Sequence, residues 1–121
     1  MARVLFIDDD PFTLETLTKA VQLLGHQALV AGNGLDAVTV AEQEIPDVIF
    51  TDMQLPDTDG ASLVCRLKSK ALLTDIPMFI LSASPTMDAV EHAEAAGAAA
   101  YLNKPIRLQT LLEILQKYTS G

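Results

Sequence analysis

The sequence predicts an α/β fold, a single doubly wound sheet of five parallel strands, and three observations lead to this prediction. Short apolar runs recur along the 121 residues at intervals of roughly 20–30 residues, which leaves room for a crossover helix between parallel strands. Most of these runs are continuous rather than alternating, as is typical of strands covered on both faces. The segments between them carry apolar residues at helical spacing. The predicted order is βαβαβαβαβα, with helices on both faces of the sheet.

The apolar runs are the predicted strands. In chain order they occupy residues 4–7, 28–30, 48–50, 78–81 and 98–102. The first helix is predicted to begin at Pro11, because Asp10 before it is a good N-cap and proline is tolerated in the first turn. Its apolar face consists of Leu14, Leu17, Val21 and Leu24, and Gly25 is the expected stop.

Four further helices follow from the same spacing argument. Their predicted apolar faces are Leu35, Val38 and Ala41 before Pro46; Leu63, Val64, Leu67 and Ala71 after Gly60; an alanine-rich stretch over residues 86–96; and Leu108, Leu111, Leu112 and Leu115. Residues 119–121 are predicted to form a loose tail. Because no linker, repeat or low-complexity stretch divides the chain, residues 1–121 are expected to form one domain with no effector domain.

Composition limits the classes of function. Half of the residues are hydrophobic, enough for a buried core, and the formal net charge is −8. A chain this acidic is not expected to bind nucleic acid, since phosphate contacts need clustered lysine and arginine. Cys65 is the only cysteine, so an internal disulfide is excluded and a cytoplasmic location is expected. The run at residues 4–7 is too short for a signal peptide or a membrane span.

The residues that follow the predicted strands are the candidates for function, because ligands of open α/β sheets bind beyond the carboxyl ends of the strands. They are Asp8, Asp9 and Asp10 after the first strand, Thr51 and Asp52 after the third, Ser82 and Ala83 after the fourth, and Asn103, Lys104 and Pro105 after the fifth. The second strand is followed by residues 31–34, which offer no charged group. The ends of four strands therefore place polar residues at one edge of the sheet.

If the first and third strands are neighbours, Asp8, Asp9 and Asp52 share one crevice. Two carboxylates ~4 Å apart repel by roughly 4 kcal/mol at an effective dielectric constant of about 20. Such a site either raises a carboxyl pKa or binds a hard cation, and Mg²⁺ suits it because this ion also engages phosphate oxygens. Lys104 adds a positive charge, and Ser82 adds a hydroxyl donor. The set indicates a site where a carboxylate attacks a phosphoryl group while the metal and the lysine neutralise its oxygens.

Four motifs at these strand ends resemble those of receiver domains of two-component response regulators. They are Phe6-Ile7-Asp8-Asp9-Asp10-Pro11; Thr51-Asp52-Met53-Gln54-Leu55-Pro56 leading to Asp59-Gly60; Leu81-Ser82-Ala83; and Tyr101-Leu102-Asn103-Lys104-Pro105. Each motif alone is weak, but all four in order at the ends of the first, third, fourth and fifth strands are highly specific. The resemblance runs from about Arg3 to Tyr118 and implies a flavodoxin-like (βα)5 fold.

The resemblance also implies a role for each matched residue. Asp52 matches the phosphoacceptor, which also contacts the metal. Asp9 matches a direct metal ligand, and Asp8 matches an acidic neighbour that holds a metal-bound water. Gln54 matches the position whose backbone carbonyl binds the metal. Ser82 matches the conserved hydroxyl residue, Ala83 the small residue after it, Lys104 the invariant lysine, Pro105 a proline after a peptide that is usually cis, and Tyr101 the aromatic residue that changes rotamer on activation. Gln54 and Ser84 occupy positions that tune phosphoryl lifetime. Ile106, where phenylalanine is common, departs from the pattern.

The function implied by the resemblance is a phosphorylation-dependent switch. Its phosphoryl donor is expected to be a phosphohistidine of a sensor histidine kinase or of a histidine phosphotransfer protein, and its cofactor Mg²⁺, with Mn²⁺ as a substitute. Such a domain phosphorylates and dephosphorylates itself but is not a turnover enzyme. The sequence indicates neither a downstream effector nor a membrane partner.

Two other interpretations stay open on the sequence alone. Residues 8–10 followed by Thr13 loosely resemble the start of haloacid-dehalogenase-type phosphatases, which also use an aspartate nucleophile, Mg²⁺ and a lysine. Those enzymes need an acidic pair after the lysine, and here only Glu113 follows. The second is a degenerate receiver that acts only as an interaction module. A flavin mononucleotide carrier is disfavoured, because three aspartates in the first loop would repel the phosphate.

Several polar residues have simpler structural interpretations. Asp10 is expected to cap a helix, and Asp57 and Asp59 are expected to be turn residues. Cys65 is expected to be inert packing, and for Tyr101 a plain core position is the alternative to a switch role. His26 and His92 are not expected to be phosphodonors.

Overall fold

Within residues 1–83 and 86–119, which the computed structural model describes, strands and helices alternate as the sequence predicts. The strands are β1 (Arg3–Ile7), β2 (Gln27–Ala31), β3 (Val48–Asp52), β4 (Met78–Ser82) and β5 (Ala100–Asn103), and the helices are α1 (Pro11–Leu23), α2 (Gly34–Glu44), α3 (Gly60–Lys68), α4 (Met87–Ala96) and α5 (Leu108–Thr119). Ser84 and residues 120–121 of the expected tail lie outside the described residues, whereas Thr119 belongs to α5.

The described strands form one parallel sheet in the order β2-β1-β3-β4-β5. This order confirms the predicted doubly wound fold. The chain moves from β1 to one edge through β2 and then to the other side through β3, so the order reverses between β1 and β3. The carboxyl ends of these two strands flank the crevice in which ligands of this fold class bind.

Two hydrophobic layers cover the two faces of the sheet. On one face α2, α3 and α4 pack against side chains such as Leu5, Ile49 and Ile80. On the other face α1 and α5 pack against Val4, Phe50 and the neighbouring residues of β4. Successive residues of a strand point to opposite faces, so a continuously apolar strand contributes side chains to both layers.

A ladder of aromatic rings crosses the α1/α5 face of the sheet. Phe6 stacks on Phe50 with ring centroids 5.4 Å apart, and Phe50 stacks on Phe79 at 5.1 Å. The three residues are paired across β1, β3 and β4, so the register of the strands aligns the rings. Stacked aromatic pairs add about 0.5–1.5 kcal/mol each beyond the area they bury. The ladder therefore holds together the strands that carry the crevice.

Two of the predicted apolar helix faces include a leucine that is exposed in the structure. Leu35 is 63% exposed and Leu108 is 56% exposed, although the spacing placed both in the core. Each lies in the first turn of its helix. In α2 the predicted Val38 and Ala41 are buried, and Ala37 takes the place expected for Leu35.

Three further expectations are corrected. Ala71 lies beyond the end of α3 and is exposed. The fifth strand begins at Ala100 rather than at residue 98, because the N–H of Ala98 donates to the carbonyl of Ala93 at the end of α4. Cys65 is exposed rather than packed in the core, since the buried face of α3 is formed by its neighbours Leu63, Val64 and Leu67.

No helix within residues 1–83 and 86–119 combines the length and the apolar character that crossing a membrane requires.

The exposure difference along α5 gives a direct stability prediction. Leu111 is 1% exposed and lies in the α1/α5 core, so Leu111→Ala should lower the free energy of unfolding by about 2–5 kcal/mol. Leu108→Ala removes an exposed side chain and should change it by roughly 0.5 kcal/mol or less. Urea unfolding followed by circular dichroism measures both values. Equal losses for the two variants would contradict the observed orientation of α5.

Candidate functional site

Backbone hydrogen bonds place the candidate residues at one edge of the sheet. The N–H of Asp8 donates to Ala31 at 3.1 Å, and the N–H of Lys104 donates to the carbonyl of Ser82 at 2.8 Å. Both bonds continue the parallel ladder one residue past the strand. Asp8, Asp52 and Lys104 therefore leave the sheet at fixed positions, on rigid strand ends rather than on free loops.

Three carboxylates meet between β1 and β3. Asp8, Asp9 and Asp52 each offer an oxygen, and these atoms all lie within 4.8 Å of one another. Asp8 is 4% exposed, Asp52 is partly buried and Asp9 is exposed. The crevice predicted from the sequence is thus present. The buried Asp8 lies at its bottom and the exposed Asp9 lies at its rim.

Lys104 joins this cluster from the end of β5. Its Nζ donates to Oδ2 of Asp8 at 2.8 Å and lies 3.4 Å from Oδ2 of Asp52. The Lys104–Pro105 peptide is cis, as the resemblance implied. Sequence reasoning placed Lys104 opposite the carboxylates but did not predict its direct hydrogen bond with Asp8, because residues 96 positions apart carry no pairing signal.

The cluster changes the acidity of two of its members. Burial raises the pKa of the Asp52 carboxyl; the positive charge of Lys104 opposes this rise and the negative charge of Asp8 adds to it. For Lys104, burial alone would lower the ammonium pKa, but its hydrogen bond to Asp8 and the charge of Asp52 outweigh that effect and raise the pKa. The lysine therefore stays charged, whereas the fold opposes a charge on Asp52.

Asp10 is a helix cap, as predicted. Its carboxylate accepts from the N–H of Phe12 at 3.2 Å and from the hydroxyl of Thr13 at 2.6 Å. The Thr13 hydrogen bond is the main reason why the pKa of Asp10 is lowered. The backbone N–H of Asp10 donates to Oδ1 of Asp8 at 2.9 Å, so the start of α1 also holds the buried carboxylate in place.

The loop after β3 folds tightly back on the site. Gly60 begins α3, and a Cβ atom added there would lie 2.7 Å from the carbonyl oxygen of Asp52. Only glycine allows this approach, and the Gly60 N–H donates to Met53 at 2.7 Å. Asp59 is the N-cap of α3, accepting from the N–H of Ser62 at 2.7 Å. Asp59 is therefore a helix cap rather than the turn residue that the sequence predicted.

Asp57 has a contact that sequence reasoning missed. Its two carboxylate oxygens accept from the backbone N–H groups of Gly34 and Leu35, at 2.8 and 3.0 Å. The Gly34 bond is the main cause of the lowered pKa of Asp57. Instead of a simple turn residue, Asp57 is a cross-link between the β3–α3 loop and the start of α2. Nothing in the local sequence signals a partner more than twenty residues away.

Ser82 and Tyr101 lie on the same face of the sheet. Tyr101 of β5 pairs with Ile80 of β4, and Ser82 follows two residues later. Because strand side chains alternate with period two, the Ser82 side chain points to the face on which Tyr101 packs, the one covered by α2, α3 and α4. Tyr101 is partly buried and Ala83 is exposed beside the crevice.

The acidic cluster fits a hard divalent cation. Its donors are all oxygens, and two ligands of one such ion are separated by at most about 4–5 Å, twice the metal–oxygen distance. The carboxylate oxygens of Asp8, Asp9 and Asp52 meet that limit. The exposed side of the cluster leaves room for the waters that Mg²⁺ retains.

The fold and this site define a receiver domain, and comparison with known proteins agrees. The chain matches the response regulator receiver domain family over residues 4–116, and it belongs to that family. It is 35% identical to PilH of Pseudomonas aeruginosa over 121 residues, covering all of both proteins.

Two solved structures extend the comparison. The chemotaxis protein CheY4 of Vibrio cholerae superposes with a TM-score of 0.91 at 27% identity, over 98% of each chain. The receiver domain of the sensor histidine kinase PA1611 from Pseudomonas aeruginosa has a TM-score of 0.89 at 27% identity, over 99% of this chain and 98% of that one. That structure has a magnesium ion coordinated in its active-site cleft. Family membership favours the receiver interpretation over the phosphatase alternative.

Asp52→Asn should raise the free energy of unfolding of the metal-free protein at neutral pH. The folded state raises the pKa of Asp52, so ionised Asp52 opposes folding above that pKa, and the opposition disappears as the pH falls through it. The advantage of Asp52→Asn should thus be largest at about pH 7 and shrink toward about pH 4. Urea unfolding in EDTA checks this, with the exposed Asp36→Asn as control. A wild-type protein more stable than Asp52→Asn at neutral pH would contradict it.

Proposed function

We propose that this chain is a phosphorylation-dependent signalling switch that accepts a phosphoryl group on Asp52 in a Mg²⁺-dependent reaction. The observation that carries the proposal is the meeting of Asp52 with two further carboxylates and the ammonium group of Lys104 at the carboxyl ends of β1, β3 and β5. A structural role alone does not require three acidic side chains within 4.8 Å. A metal ion together with a phosphoryl group accounts for both the acids and the lysine.

The proposed metal ligands are Asp9, Asp52 and the backbone carbonyl of Gln54, with Asp8 acting through a bound water. Asp8 is the most buried of the three carboxylates and is already hydrogen-bonded to Lys104, which suits an indirect role. When bound, Mg²⁺ supplies positive charge to the phosphoryl oxygens and relieves the repulsion between the acids. Mn²⁺ is the proposed substitute, since it accepts the same oxygen ligands.

In the proposed reaction an oxygen of Asp52 attacks phosphorus. The new P–O bond forms as the P–N bond of a phosphohistidine breaks, and the imidazole nitrogen of the donor leaves with the electron pair. Lys104 is placed to transfer its contact from the Asp52 carboxylate to a phosphoryl oxygen, and its raised pKa keeps it charged while it does so. The hydroxyl of Ser82 is the proposed donor to a further phosphoryl oxygen. The domain also hydrolyses its own acyl phosphate.

A protein donor is supported by an apolar groove beside the site. The groove runs between α1 and the segment that follows β5, and it is lined by Phe12, Leu17, Pro105 and Ile106, with Lys104 at its edge. Phe12 is 74% exposed. An exposed aromatic ring next to a charged reaction centre is typical of a surface covered by a partner. The proposed partner is a histidine kinase or a histidine phosphotransfer protein.

The proposed output passes through Ser82 and Tyr101. Phosphorylation adds nearly two negative charges at the edge of the sheet, and the hydroxyl of Ser82 is drawn toward them. Since Ser82 and Tyr101 share one sheet face, this movement changes the space available to the tyrosine ring. The surface around α4, β5 and α5 then changes and is read by a partner.

The proposal extends to location. With one cysteine and a net charge of −8, the chain is proposed to work in a reducing cytoplasm, without nucleic acid or membrane as a direct partner.

Incubation with acetyl phosphate and Mg²⁺ tests the chemistry. Intact-mass spectrometry of the wild type should show one added phosphoryl group, because acetyl phosphate is a small substitute for the phosphohistidine. The addition should disappear in EDTA and in Asp52→Asn. In Asp57→Asn and Asp59→Asn the label should still be found on Asp52, since both carboxylates are occupied as helix caps.

Three results would count against this function. Absence of any mass increase in the wild type would favour the degenerate receiver. Label on Asp57 would contradict the assignment of the acceptor. Steady release of phosphate from many unrelated phosphate esters would favour the phosphatase alternative.

The switch is tested by nuclear magnetic resonance with the phosphate mimic beryllofluoride. In the wild type, chemical-shift changes should extend from Asp52 through Ser82 to Tyr101 and α4. In Ser82→Ala the changes around Asp52 should remain and those at Tyr101 should be lost, because the hydroxyl that couples them is absent. Changes confined to the loops around Asp9 and Asp52 in the wild type would exclude the Ser82–Tyr101 route.

A further inference from the structure

The β3–α3 loop, residues 53–59, is built like a small hairpin. At its base the N–H of Met53 donates to Leu81 of β4 at 2.9 Å, and Gln54 forms an antiparallel bridge with Asp59. A turn closes the loop through the N–H of Leu55 and the carbonyl of Thr58, 3.0 Å apart. The base is thus tied to the sheet, and Gln54 lies where the loop leaves it.

The tip of the loop is held by a second element. Asp57 accepts from the first two N–H groups of α2, those of Gly34 and Leu35. These N–H groups have no partner within their own helix, and a carboxylate at a helix N-terminus is favoured by the helix dipole. Asp57 therefore attaches the loop to α2 with two charge-assisted hydrogen bonds.

Steric contact independently shows how closely the loop and α2 approach. A Cβ atom added to Gly34 would lie 2.6 Å from Cγ2 of Thr58 and 3.2 Å from Oδ1 of Asp57. A side chain at position 34 would therefore displace the Thr58 methyl group and crowd the Asp57 carboxylate, the groups through which the loop tip contacts α2. The asparagine N-cap of α2, Asn33, satisfies the N–H of Asp36 at 2.8 Å, so α2 is capped by its own residue as well as by Asp57.

We propose that Asp57 is a positioning residue for Mg²⁺ binding: by attaching the loop tip to α2, it holds the backbone carbonyl of Gln54 in the orientation that a metal ligand needs. This inference rests on the proposed ligand set, in which Gln54 contributes that carbonyl. A backbone ligand has no side-chain torsions with which to adjust, and Mg²⁺ requires near-ideal octahedral geometry. Loss of the attachment frees the loop tip and loosens the Leu55–Thr58 turn next to Gln54, so the Gln54 carbonyl is held in place on one side alone, by the base of the loop.

Titration calorimetry with Mg²⁺ on the full chain measures the effect. Asp57→Ala should weaken Mg²⁺ binding about tenfold, the range typical of residues that orient metal ligands. Asp57→Asn keeps one oxygen acceptor and should lose about threefold or less. Gly34→Ala should resemble Asp57→Ala, because the added methyl group displaces the same loop. In Asp57→Ala, the slower phosphorylation by acetyl phosphate should recover at saturating Mg²⁺.

Two matched controls separate positioning from other effects. Asn33→Ala removes the N-cap of the same helix without touching the loop, so it should lower stability and leave Mg²⁺ affinity within about twofold of the wild type. Asp36→Asn removes a negative charge close to the same helix start, and it should also change the affinity by about twofold or less.

Reciprocity gives a test that does not depend on phosphorylation. If the attachment by Asp57 favours Mg²⁺ binding, bound Mg²⁺ must favour the attachment by the same factor. Amide hydrogen exchange at Gly34 and Leu35 should therefore slow about tenfold on saturation with Mg²⁺ in the wild type. In Asp57→Ala the exchange of these amides should not respond.

The inference would be overturned by equal Mg²⁺ affinity in wild type and Asp57→Ala, or by an equal loss in Asn33→Ala. A phosphorylation defect in Asp57→Ala that persists at saturating Mg²⁺ would also overturn it. A wild type that binds Mg²⁺ with the expected dependence on Asp57 but accepts no phosphoryl group would refute the proposed function and leave this inference standing.

Discussion

The contact of Lys104 with Asp8 and Asp52 is the interaction on which the site depends. Without a cation, clustered carboxylates at the edge of an apolar sheet would repel one another and would tend to become protonated. One ammonium group offsets only part of three negative charges, and the pKa of Asp52 is raised despite it. The fold therefore keeps a net negative charge at a fixed place. This charge favours binding of a metal ion, and the metal ion together with Lys104 favours an anionic ligand.

The hydrophobic layers on the two faces of the sheet hold the repelling carboxylates in place. The Phe6–Phe50–Phe79 ladder and the buried side chains of β1, β3 and β4 fix the strands from which Asp8 and Asp52 emerge. Rigid strand ends hold repelling groups together more effectively than loops do, because loops would relax to separate them. The close approach of Gly60 to the Asp52 carbonyl continues this rigidity into the following loop.

Around this rigid centre, the surrounding segments are held by polar contacts of modest strength. Asp10 caps α1, Asp59 caps α3, and Asp57 attaches the β3–α3 loop to α2. Each of these carboxylates satisfies backbone N–H groups that a helix leaves unpaired. Within the part of the chain that the structure describes, much of the acidic character of the carboxyl edge is thus structural, whereas the cluster that faces Lys104 is available for chemistry.

The sequence by itself determined the order of the elements, their approximate bounds and the strand ends that carry function, because apolar periodicity and residue order are local properties. It also placed Asp8, Asp9 and Asp52 in one crevice, since parallel strands end at the same edge. Only the tertiary structure decided which first-turn leucines are exposed, that Lys104 pairs with Asp8, and that Asp57 reaches α2. These features depend on how each helix packs on the sheet and on contacts between segments that are distant in the chain. Close packing in three dimensions leaves no trace of such contacts in local residue spacing.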